Sequence, residues 1–135
     1  MYKVYISLII LFSMSTTQAK ETNRLTVDRV VTNSIELAFP NDKNIKPKLS
    51  DFELFNYIVM SNEEGERWAV MTLNNTSSGS RVLEHHHLMA LFADGNRSTP
   101  LEFKVSFRGK ETQSITVSFG ENKFPILSIF TETAS

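Results

Sequence analysis

All three histidines of the 135-residue chain fall in one run, Glu84-His85-His86-His87, and imidazole is the side chain best suited to metal ligation and to proton transfer near neutral pH. In an extended run, His85 and His87 point to one face and His86 to the other, so His85 and His87 are the candidate metal pair. The thioether of Met71 or Met89 would complete a site suited to Cu(I), and the Glu84 carboxylate one suited to zinc. The competing reading is a solvated loop before a buried strand, with Met60, Met71 and Met89 as core filling. No second, separated ligand motif accompanies the histidines, and the loop reading is the favoured one.

Other chemistry finds little material. The chain has no cysteine, which excludes disulfide scaffolds, thiolate metal sites, thiol nucleophiles and lipid attachment through cysteine. It has no G-x-S-x-G elbow, and its serines sit in turn clusters or on solvent faces such as Ser106 and Ser118. The dense acidic group Glu63-Glu64-Glu66 lies on an expected turn, and no Gly-rich phosphate loop or calcium-loop spacing occurs. No catalytic residue and no cofactor are expected. Fourteen Lys and Arg against fifteen Asp and Glu give a net charge of -1, without the basic footprint that nucleic-acid binding requires.

The N-terminus has the features of an export signal. Lys3 is a positive start, Val4 to Met14 an apolar stretch, and Ser15-Thr16-Thr17-Gln18-Ala19 a small polar run toward a cut after Ala19. The apolar stretch is about half the ~20 residues a membrane span needs. The expected organisation is therefore a signal peptide over 1–19 and one domain over 20–135, with no span after cleavage. Export without cysteine favours a bacterial protein, periplasmic or secreted.

From Leu25 onward the apolar period is two, the mark of strands with one buried face. Leu101, Phe103, Val105 and Phe107 alternate with Glu102, Lys104, Ser106 and Arg108; Ile115, Val117 and Phe119 alternate with Thr116 and Ser118. Arg108-Gly109-Lys110 between them predicts a hairpin, with the two runs paired antiparallel. Ile35, Leu37 and Phe39 form another alternating run that Pro40 ends. Leu25–Val31, Phe52–Met60, Trp68–Leu73, Leu88–Ala93 and Phe124–Phe130 complete the expected strands, and Asn41 to Asp51 is the longest connection. Seven or eight short strands with frequent turn signals predict an all-β, antiparallel two-sheet sandwich of immunoglobulin size, with a small barrel as the alternative.

Phe52–Met60 and Leu88–Ala93 are apolar at both parities, so each needs a cover on its second face: a loop of the chain itself, or another chain. Tyr57 and Leu91 are the candidate binding residues of those runs. Trp68 joins them as the one tryptophan, because many sandwich modules stack sugars on exposed aromatic rings.

The stretches Trp68 to Leu83, Leu88 to Pro100 and Glu111 to Phe119 contain a strand ending in an Asn-rich turn, a strand ending in Asp-Gly, and a strand of alternating Thr/Ser and apolar residues. In this the chain resembles immunoglobulin-like accessory domains of exported bacterial proteins. The resemblance implies the fold and a binding or envelope-accessory role. The function expected is therefore non-catalytic binding of an envelope or extracellular protein, or of a second copy of the chain. A small periplasmic metal-binding protein using the His85–His87 segment is the alternative, followed by a secreted enzyme inhibitor presenting Thr76–Ser80 or Asp94–Thr99, or a sugar-binding module.

Overall fold

The computed structural model describes residues 24–28 and 45–134. The expected signal peptide, the Ile35–Phe39 strand, residues 29–31 of the Leu25–Val31 run and the first part of the Asn41–Asp51 connection lie outside the described residues. Within them the protein is all-β: β1 Thr26–Val27, β2 Leu49–Ser50, β3 Phe52–Ser61, β4 Glu66–Asn75, β5 Arg81–Glu84, a 3-10 turn His85–His87, β6 Met89–Phe92, β7 Arg97–Ser98, β8 Lys104–Phe107, β9 Thr112–Glu121, β10 Ile126–Phe130 and β11 Glu132–Thr133. The strands form sheets in the orders β1-β3-β4-β9, β10-β6-β7 and β5-β8, all antiparallel, and a short parallel pair β11-β2.

One apolar core joins these sheets. Phe52, Val59, Ala69, Met71, Leu73, Val117 and Phe119 come from the four-stranded sheet; Ala90, Phe92, Ile126 and Ile129 from the three-stranded sheet; Leu83 and Phe107 from β5 and β8; Leu88 from the connection before β6. The Phe52 and Phe107 rings meet edge-on at 5.0 Å, and Phe92 meets Phe119 at 6.5 Å, the geometry that ring quadrupoles favour.

The expected hairpin between the runs ending at Arg108 and beginning near Ile115 does not form. β8 pairs with β5 and β9 with β4. The 108–111 turn, closed by Glu111 N donating to Arg108 O at 3.1 Å, is also bonded to the end of β4 and the chain after it: Asn75 N donates to Glu111 O at 2.9 Å and Lys110 N to Ser77 O at 2.8 Å. The buried Asn75 amide donates to Gly79 O and Arg108 O, both at 2.9 Å, and its Oδ1 accepts from Ser77 N. Two neighbouring connections thus leave one sheet and enter another side by side, as one antiparallel ribbon bent at Asn75. Gly109 sits where the connections touch, and a Cβ there would lie 2.1 Å from the Ser78 carbonyl oxygen. Glycine is required at that position because backbone, and not a movable side chain, fills the space.

The two runs that are apolar at both parities have different physical causes. In β3 the pairing to β4 slips between Leu54 and Asn56, leaving Phe55 as the extra residue of a bulge. Phe52 and Leu54 before the bulge and Tyr57 and Val59 after it all reach the same core, so both parities feed one face. Phe55 and Ile58 remain 52% and 46% exposed.

In β6, by contrast, both faces are covered. Leu88, Ala90 and Phe92 enter the main core, while Met89 and Leu91, also buried, stand apart from it on the other side. On that side Leu91 is paired with Arg97, and Met89 with Phe130. The Arg97 guanidinium lies 5.5 Å from the Phe130 ring centroid and donates to Ile45 O at 2.9 Å. Lys48 N donates to His86 O, which with the Arg97 contact ties residues 45–48 over this side of the sheet and buries Pro47. A segment of the same chain is thus held at this side of β6.

Candidate functional site

The histidine run is not extended. It forms one 3-10 turn, with Leu88 N donating to His85 O at 3.2 Å. Because such a turn has three residues per revolution, Glu84 and His87 fall in line, and Glu84 N donates to His87 Nδ1 at 3.0 Å. His87 is buried against Phe52, with ring centroids 5.7 Å apart. Among the described residues, those whose ligand atoms converge are Glu84, His86 and His87, with one donor atom from each within 4.8 Å of the others. His85 is outside that group, so the turn replaces the His85 and His87 pairing of an extended strand.

Within the group, His86 Nε2 lies 3.1 Å from Glu84 Oε2. The atom is shielded from solvent and makes no aligned hydrogen bond. The other Glu84 oxygen faces Lys104 Nζ at 3.4 Å, across the β5-β8 pair in which Glu84 and Lys104 are direct neighbours. Burial works against the charged Glu84 carboxylate, but the hydrogen bond and charge of Lys104, with His86 and His87, hold its pKa below the ordinary carboxylate value. Burial, then the neighbouring His86, pushes His87 below the usual imidazole value. His87 Nδ1, accepting from Glu84 N, closes the turn. The signal for this arrangement is a spacing: Glu84 and His87 stand three apart, as the two partners of a helix-start cap do.

A second feature lies along β3. Leu54, Phe55, Asn56 and Tyr57 face Ile129, Phe130 and Thr131 across a groove of about 410 Å³. Among the described residues, β1 and the adjoining Asp28 cover the free side of β3 at Val59, Met60 and Ser61. Tyr57 packs partly on the core and partly lines this groove.

The remaining sequence candidates are dispersed. Leu91 is 5% exposed beneath the 45–48 segment. Trp68 is half-buried between Met60 and Ser118 in the pairing of the four-stranded sheet, and its Nε1 is shielded without a hydrogen-bond partner. Met71 lies in the main core and Met89 under Phe130's side of β6. Thr76–Ser80 is held by the Asn75 corner and by Thr76 N donating to Asp51 O. Glu63 and Glu64 project to solvent from the β3–β4 turn.

Comparison of the chain with protein-family models, with curated proteins and with solved structures finds no match to any of them. Among the described residues, no helix is long and apolar enough to cross a membrane.

Proposed function

We propose that this chain is a non-catalytic, exported β-sandwich of the immunoglobulin-like kind that binds another protein in the periplasm or outside the cell. The sandwich reading is supported by the single core that residues of the four-stranded and three-stranded sheets share. Export is supported by the Lys3, apolar Val4–Met14 and Ala19 pattern, with the absence of cysteine favouring a bacterial envelope.

The observation that carries the binding reading is the pair of large apolar side chains that β3 leaves in solvent. The bulge sends Phe55 outward beside the groove, and Ile58 follows it on the same strand. An exposed aromatic at the rim of a groove of mixed polar and apolar lining is the kind of anchor that dominates protein interfaces. Among the described residues, the flank of β3 before Val59 has no strand paired to it on the side away from β4, and its main-chain groups are available for strand addition.

The test is a comparison of the wild-type protein with Phe55→Glu, both immobilised and exposed to the source organism's envelope and secreted fractions. The expected result is a stoichiometric partner, or the chain itself, retained by the wild type and lost by the folded variant. Equal retention by both proteins would remove this face as the binding surface.

A further inference from the structure

We infer that Glu84, His86 and His87 form a binding site for one divalent transition-metal ion, with copper(II) held more tightly than zinc(II). The site is independent of the β3 groove. Two imidazoles and one carboxylate are a borderline donor set that suits Cu(II) and Zn(II), and the order of affinities among divalent ions places copper above zinc.

The geometry is near that of a ligated ion. Two ligands at 2.0–2.1 Å from a tetrahedral ion stand about 3.3 Å apart. His86 Nε2 and Glu84 Oε2 are already 3.1 Å apart, and the His87 donor atom lies within 4.8 Å of both ligand atoms. The His86 nitrogen is sheltered from water and lacks an aligned hydrogen bond, so an ion would supply the partner it is missing. Lys104 faces the opposite carboxylate oxygen, and Oε2 is the one turned toward His86.

His87 gives the site a distinctive behaviour. Its Nδ1 lone pair accepts the Glu84 N–H, and a neutral imidazole accepting at one nitrogen carries its proton on the other. Coordination through Nδ1 displaces the Glu84 N–H. Coordination through Nε2 requires the proton to sit on Nδ1, where it faces the same N–H. By either nitrogen, metal binding breaks the bond from Glu84 N, so the turn reports occupancy.

The experiment is a titration of the purified protein with copper(II) and with zinc(II), followed by calorimetry, with the Glu84 amide followed by NMR during the zinc titration. One ion per chain is expected, copper tighter than zinc, with the Glu84 amide resonance moving as its hydrogen bond opens. His86→Ala, at a partly exposed position, is expected to lose more than the ~10-fold that removal of an outer partner costs, while His85→Ala keeps wild-type affinity. Glu84→Gln is the second variant, should His86→Ala fail to fold, and is expected to weaken binding likewise. No stoichiometric binding by the wild type, full affinity in folded His86→Ala, or loss of binding in His85→Ala instead would each overturn the site.

Discussion

The side-chain amide of Asn75 donates to the backbone carbonyl of Arg108 at 2.9 Å, across 33 residues of sequence, and this bond ties together the two connections that carry the chain from one sheet to another. The same amide reaches Gly79 O, and Oδ1 receives the Ser77 N–H. Asn75 thus acts as a piece of backbone where the two strands bend and the ladder between them is interrupted.

Asn75→Ala is expected to destabilise the protein by about 2–3 kcal/mol, because it removes three hydrogen bonds at a buried corner, those to Gly79 O and Arg108 O and the one from Ser77 N. Equilibrium urea unfolding measures the change. A cost below about 0.5 kcal/mol would mean that water replaces the amide at the corner.

Gly109→Ala tests the contact beside it. Its methyl group would meet the Ser78 carbonyl, so two backbone segments must part, at a cost of about 2 kcal/mol or more. Gly79→Ala is the control, since the nearest atom there is the movable end of the Arg81 side chain, at 3.2 Å. Its expected effect is within about 1 kcal/mol of zero. Thermal unfolding of the two variants side by side should separate them clearly.

Leu91 and Phe55 make a second contrast. Leu91→Ala should cost about 2–4 kcal/mol and Leu91→Glu should prevent folding, since the site is closed by the chain itself. Phe55→Glu should leave the circular dichroism spectrum and melting curve close to wild type. A wild-type melting temperature for Leu91→Glu would show that the 45–48 segment lifts easily from β6.

Glu111 links stability to pH. Its carboxylate accepts from Arg108 N at 2.8 Å and from Gln113 Nε2 at 2.9 Å, and these hydrogen bonds, the backbone one foremost, hold its pKa below the ordinary carboxylate value. A depressed folded-state pKa means that the unfolded chain takes up the proton first as pH falls. The contribution is therefore fully present above the unfolded-state pKa and disappears as pH drops through the folded-state one. Glu111→Gln should be less stable than wild type at pH 7 and converge with it in acid. Denaturation midpoints measured across that range decide the matter; a constant gap would exclude the linkage.

Most of the longer strands were legible in the residue pattern, although β5 was not among those expected and the Leu101–Phe107 run is strand only over Lys104–Phe107. Alternation in Val105–Phe107 and Ile115–Phe119, and the turn residues at Asp94–Asn96, correspond to β8, β9 and the β6–β7 turn, where Gly95 N donates to Phe92 O. Their pairing was not. Ladder hydrogen bonds are made by the backbone and carry no residue code, so a turn-like Arg108-Gly109-Lys110 is compatible with a hairpin or with a crossing. The crossing is chosen by Asn75 and the Ser77–Ser78 backbone, more than thirty residues away.

The histidines show the same division. The sequence by itself determined that all three stand together with Glu84, and that β3 and β6 are apolar at both parities. Tertiary structure decided the rest. Whether a doubled parity means a bulge or a covered face depends on the partner strand's register and on a loop that arrives from elsewhere. Which imidazoles meet depends on the 3-10 turn that Glu84 N and buried His87 close together. Periodicity is a local property, written in the backbone's repeat; burial and convergence depend on what the fold brings from far along the chain.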